Sequence, residues 1–247
     1  MKPFHYLTCL LLFSITLAFG QDDKKTPEST EVWEPQPKVV NTGAITTPPS
    51  DAIVLFDGKN FNEWESLDGS APKWTIQDGA FTVAPRSKDI KTKKEFGDIQ
   101  LHIEWRSPAV TDPTKVSQAR GNSGIFLQQR YEVQVLDNYE NKTYVNGMVG
   151  SMYKQHIPLA NACKKPGEWQ TYDIIFTAAR FAEDGRVMIP AYVTIILNGV
   201  LVQNHVAIWG STQYIGYPQY EKHGKAGIEL QDHGNLVSYR NIWVREL

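Results

Sequence analysis

From Ile53 onward apolar and polar residues alternate in short runs broken by turn residues, and no stretch carries a sustained 3.6-residue apolar repeat. Leu101, Ile103 and Trp105 alternate with His102, Glu104 and Arg106. A period of two places each set on its own face of a strand, one apolar and one polar. Tyr131, Val133 and Val135 repeat the pattern against Glu132 and Gln134, as do Ile228 and Leu230 against Glu229 and Gln231. Tyr172 to Phe176 and Ala191 to Leu197 are nearly continuous apolar runs, which fit strands buried more deeply. Asp78-Gly79 and Asn198-Gly199 each sit between two such runs, where adjacent residues that tolerate positive φ close a two-residue hairpin. Strands of this number and spacing predict an all-β fold, a two-sheet antiparallel sandwich or jelly roll, closing on Val237 to Val244.

The ends of the chain read differently. Lys2 and His5 precede an apolar run, Tyr6 to Phe19, that finishes on Ala18 and Gly20. A charged start, a short apolar stretch and a small-residue exit predict a signal peptide over residues 1–20, too short to remain as a membrane span. Export to the periplasm, the cell envelope or the outside of a Gram-negative-type bacterium follows. Residues 21–50 carry Pro27, Pro35, Pro37, Pro48 and Pro49 without periodicity and read as a flexible arm. Residues 51–247 then form one domain, since about 200 residues suit a single large β core. Cleavage leaves Cys163 alone, so the fold is held without an internal disulfide. With 25 Lys and Arg against 27 Asp and Glu and no basic block, nucleic acid is excluded as a partner, and oligomeric state is left open. Seven Trp and 11 Tyr permit stacking on sugar rings without requiring it.

One face of each sheet in a sandwich makes the core and the other meets solvent. The outward sets His102/Glu104/Arg106, Glu132/Gln134 and Glu229/Gln231, the last followed by Asp232-His233, combine carboxylates, amides, Arg and His. An ordinary solvated face favours Lys, Thr and Ser, whereas this mixture suits a hydroxyl-rich sugar. The competing reading is a cross-strand ladder of ion pairs. His233, in a turn leaving a strand, and His156, in a loop, are candidate proton acceptors. Asn122 lies between Gly121 and Gly124, where the backbone can approach a ligand closely. No His or Cys spacing marks a metal site, although Asp137-Asn138 is compatible with a divalent cation.

The segment from Glu132 to Asp137 is similar to the catalytic strand of laminarinase-type jelly rolls, Glu-x-Asp-x-x-Glu, but Gln134 and Asp137 replace its second and third acids. A retaining glycosidase needs two carboxyls roughly 5 Å apart, which this strand does not reliably offer. The strings Leu55-Phe-Asp-Gly-Lys59, Asp98 to Arg106, Gly121-Asn-Ser-Gly-Ile-Phe-Leu127, Tyr131 to Asp137, Gly167 to Asp173, Leu197 to Val200 and Leu230 to Trp243 together resemble the 3-keto-disaccharide hydrolase domain family, in order and from about Ile53 to Leu247. The resemblance implies a concanavalin A-like jelly roll acting on glycosides already oxidised at C3. A C3 ketone acidifies the C2 hydrogen; a base removes it, and the enolate expels the C1 substituent. On that reading His233 or Glu132 is the base, and Arg106 or a bound cation holds the enolate. Glu104, Asn122, Gln134 and Gln231 hold hydroxyls, with Asp137 and His156 beside them. A non-catalytic carbohydrate-binding sandwich and a classical glycoside hydrolase are the alternatives.

Overall fold

The structure is a computed structural model, and residues 47–109 and 112–247 are described. The expected signal peptide and nearly all of the Pro-rich arm lie outside the described residues. In chain order the strands are β1 (Ile53–Phe56), β2 (Trp64–Ser66), β3 (Thr75–Gln77), β4 (Ala80–Thr82), β5 (Ile90–Thr92), β6 (Ile99–Arg106), β7 (Ser123–Leu127) and β8 (Tyr131–Val135). They continue with β9 (Gln170–Thr177), β10 (Arg180–Phe181), β11 (Val187–Ile189), β12 (Tyr192–Leu197), β13 (Val200–Ala207), β14 (Glu229–Leu230) and β15 (Ser238–Glu246). Helix among the described residues is limited to two 3₁₀ turns, Ser117–Ala119 and Val145–Gly147.

The strands form the expected antiparallel sandwich. One sheet has eight strands, in the order β13-β12-β9-β6-β15-β4-β3 with β1 also paired to β15. The other has five, in the order β2-β5-β14-β7-β8, and β10-β11 is a separate ribbon. Both foreseen hairpins form, β3-β4 and β12-β13. Asp78 and Gly79 have φ of 51° and 73°, and Asn198 and Gly199 have 53° and 81°, the left-handed pair that a type I′ turn requires.

Alternation builds the core. Ile99, Leu101, Ile103 and Trp105 of β6 are buried while the residues between them are half-buried. They meet Tyr131, Val133 and Val135 from the facing sheet in one continuous cluster. Each such aliphatic or aromatic side chain contributes about 1.5–3 kcal/mol on burial. Two tyrosines also stitch the layers: Tyr172 donates to Gln134 O at 2.7 Å and Tyr239 to Ser123 Oγ at 2.6 Å. Cys163 is a free thiol, so this core carries the fold.

Every residue of β8 is buried, including Glu132 and Gln134, which point away from the core. Its free edge explains this. Gln134 N donates to Ser151 O, Tyr153 N to Glu132 O and Glu132 N to Thr212 Oγ1, so the chain around 150–153 and around 212 closes over the strand. A solvated sheet face thereby becomes the floor of a trough.

Candidate active site

The trough lies on the outer face of the five-stranded sheet and encloses about 500 Å³, within the range of a small-ligand site. Across its floor runs a row set by strand register: Lys91 faces Glu229, Glu229 faces Phe126, and Phe126 faces Glu132. Beside it Gly124 faces Gln134, and Gln231 N donates to Gly124 O. Gln118, Asn122 and His233 line one end, and Tyr144, Tyr153, Lys154, Thr212 and Tyr214 line the wall. Gly124 makes room for the key carboxyl: a Cβ there would lie 2.8 Å from Glu132 Oε1 and 2.8 Å from the Phe126 ring.

Glu132 is 5% exposed. Burial, then the nearby acids Asp89 and Glu229, push its pKa up to about 8. Burial raises Asp89 and Glu229 as well, and the contact between the two carboxyls raises Glu229 further while lowering Asp89. An amide cluster completes this end. Asn122 Nδ2 donates to Gln118 O at 2.9 Å, and Gln134 Nε2 donates to Gln118 Oε1 at 2.9 Å. Turned over, the Gln134 amide instead donates to Glu132 Oε1 at 3.2 Å and Ser123 O at 3.1 Å. That second orientation supplies a donor to Glu132 when it is ionised.

Of the residues expected at the site, Glu132, His233, Asn122, Gln134 and Gln231 converge in the trough. Four others do not. Glu104 and Arg106 lie on β6 in the eight-stranded sheet, whose outward face is the other surface of the sandwich. There Glu104 accepts from Arg240 Nε at 2.6 Å and Asn241 Nδ2 at 2.9 Å, the cross-strand ladder of the competing reading. Arg106 stacks 4.7 Å above the Trp169 ring. Asp137 is buried in an ion pair with Arg120, 2.6 Å away. His156 Nε2 bonds Ala207 O at 2.7 Å, and its ring packs on Trp209. Among the described residues no group of three or more His, Cys, Asp or Glu is arranged to hold a metal ion.

Sequence reasoning missed Asp89, Tyr144, Tyr153, Lys154, Thr212 and Tyr214. Asp89 immediately precedes β5, a three-residue strand too short to show a period in the sequence. The wall residues sit in loops without periodicity, so nothing in their spacing pointed to the trough.

Residues 51–245 match the model of the 3-keto-alpha-glucoside-1,2-lyase-like domain. A Bacteroides thetaiotaomicron protein named 3-keto-disaccharide hydrolase is 25% identical, with 100% of this chain and 99% of that one covered. A crystal structure of a candidate glycosyl hydrolase from Parabacteroides distasonis is similar at 56% identity and a TM-score of 0.86, covering 90% of this chain and 97% of the other. A second candidate glycosyl hydrolase from the same organism, at 23% identity and TM-score 0.59 over 80% and 94%, shares the fold.

Proposed function

The chain belongs to the 3-keto-alpha-glucoside-1,2-lyase-like family, and from that premise we propose that it cleaves 3-keto-glycosides, with Glu132 as the base that takes the C2 proton. The observation that carries this reading is the Glu132 carboxyl in a polar trough, made strongly basic by burial and by two neighbouring acids.

The chemistry fits that one group. A hydrogen next to a ketone is acidic enough for a carboxylate of pKa about 8 to remove, and a base works best when its pKa lies near the operating pH. The resulting enolate regenerates the C3 carbonyl, forms a C1–C2 double bond and breaks the bond from C1 to its oxygen. Addition of water completes a hydrolysis, and release before hydration completes a lyase reaction; both use the same first step. A paired-carboxylate glycosidase mechanism is disfavoured because Asp137, the second acid of the strand, is held by Arg120. With Arg106 on the other sheet, the donors beside Glu132 take over the oxyanion: His233 at the rim serves the C3 oxygen. The amides of Asn122, Gln134 and Gln231 hold ring hydroxyls.

The reading is supported by the family's description and by the name of the Bacteroides relative. Export to the periplasm or envelope is part of the proposal and rests on residues 1–20. Incubation with a 3-keto-glucoside and with its unoxidised parent tests the activity. The aglycone is released from the keto form alone if the proposal holds, and cleavage of both at similar rates refutes it.

A further inference from the structure

We propose that Tyr144 is the acid that protonates the departing oxygen, a role that rests on the elimination reading above and deepens it. The trough wall holds two phenols, Tyr144 and Tyr153, whose hydroxyls lie 2.6 Å apart. Both line the space that also contains Glu132. Their environments differ in a way that sets the direction of that bond. Tyr153 is 8% exposed and Tyr144 is 40% exposed. Either oxygen could donate in that bond; a buried phenol needs a partner for its single proton, which favours Tyr153, the more buried of the two, as the donor. Tyr144 therefore accepts from Tyr153 and keeps its own proton for whatever occupies the trough.

The surroundings fix Tyr144. Its ring lies against Gly147, where an added Cβ would stand 2.0 Å from the ring. Gly147 N donates to Tyr144 O at 2.9 Å and Lys154 N to Asn146 O at 2.7 Å, which pins the loop. The Lys154 ammonium sits 5.9 Å from the Tyr144 ring centre and 5.7 Å from that of Tyr153. Burial raises both phenols, so each is protonated before reaction, while the Tyr153 hydrogen bond works in the opposite sense on Tyr144. One donor thus awaits a phenolate at Tyr144, while the Lys154 ammonium is engaged with Tyr214, donating to its carbonyl at 2.6 Å and lying 4.4 Å from its ring centre.

The proton balance closes. Glu132 takes the proton from C2, the enolate electrons form the C1–C2 double bond, and the pair from the broken C1–O bond takes the Tyr144 proton. The phenolate is held by the Tyr153 hydroxyl. When water adds to C1, its proton returns to Tyr144, and C2 recovers a proton from Glu132 after that carboxyl has exchanged with solvent. Both side chains end as they began.

The test compares leaving groups. Wild type, Tyr144→Phe and Tyr153→Phe are assayed on methyl and 4-nitrophenyl 3-keto-glucosides. A methoxide must be protonated to leave, whereas a nitrophenolate need not be. Tyr144→Phe is expected to lose on the order of a hundredfold or more in kcat/KM on the methyl glycoside, the scale of one positioned proton donor, and under about tenfold on the nitrophenyl one. Tyr153→Phe shows the same asymmetry more weakly, and it carries the test if Tyr144→Phe does not fold. Equal losses on both substrates, or none on the methyl glycoside, overturn the role of Tyr144. A wild type that releases neither leaving group faster than from the unoxidised parents instead overturns the elimination reading, and Tyr144 falls with it.

Discussion

Replacing Glu132 by Gln should cut turnover severely while making the fold more stable at alkaline pH. The carboxyl keeps its proton to about pH 8 in the folded protein, against an ordinary value of 4.5. The folded state therefore binds the proton more tightly than the unfolded chain. Stability from this group is complete below pH 4.5, is lost as pH rises through the window from 4.5 to about 8, and is level above it. Each pH unit in that window is worth about 1.4 kcal/mol, so ionised Glu132 costs the fold on the order of 5 kcal/mol as an upper bound. Relaxation around the charge and coupling to Asp89 and Glu229 bring what is realised below that bound. Gln is close in shape to the neutral acid and carries no charge to bury. Urea unfolding of both proteins followed by Trp fluorescence at pH 5, 7 and 9 reads the difference. The midpoints should nearly coincide at pH 5, with the Glu132→Gln variant pulling ahead at pH 9, and kcat should fall about 10²–10⁴-fold, the usual worth of a general base. A gap that does not change with pH, or a variant that keeps its turnover, refutes the reasoning.

Three further outcomes follow from the same geometry. Because the base must be ionised, kcat/KM on a 3-keto-glucoside should climb with pH and level off above an apparent pKa near 8, measured as a pH–rate profile, and Glu132→Gln should remove that limb. Arg106→Ala removes only a contact with Trp169 on the far surface, so steady-state assays should show unchanged turnover and thermal unfolding a loss of about 1 kcal/mol or less. Asp137→Asn leaves Arg120 without its buried counter-charge, and chemical denaturation should register a loss of about 3–5 kcal/mol.

The contrast between Glu132 and Glu104 shows how far the sequence could be read. Both stand at polar positions of alternating strands, and the period of two correctly turned each away from the core. Periodicity assigns a face within a sheet but is silent on which sheet a strand joins. β6 joins the eight-stranded layer and β8 the five-stranded one, so Glu104 and Arg106 ended on the surface opposite Glu132. The hairpins at Asp78-Gly79 and Asn198-Gly199 were legible because they depend on two adjacent residues alone. The wall of Tyr144, Tyr153 and Tyr214 was not, because loops are brought to β8 by long-range hydrogen bonds that leave no local pattern. Asp137, expected beside the sugar, lies elsewhere for a related reason. Its spacing from Glu132 resembled that of a catalytic pair, but its acid is taken up by Arg120, 17 positions earlier in the chain.

Hydrogen transfer at C2 distinguishes this chemistry from every displacement at C1. Turnover of a 3-keto-glucoside in deuterium oxide, with the sugar product and recovered substrate followed by NMR and mass spectrometry, reports that transfer directly. Deuterium should appear at C2 with wild type and be lost with Glu132→Gln. Cleavage that leaves the original hydrogen on C2 would contradict the account.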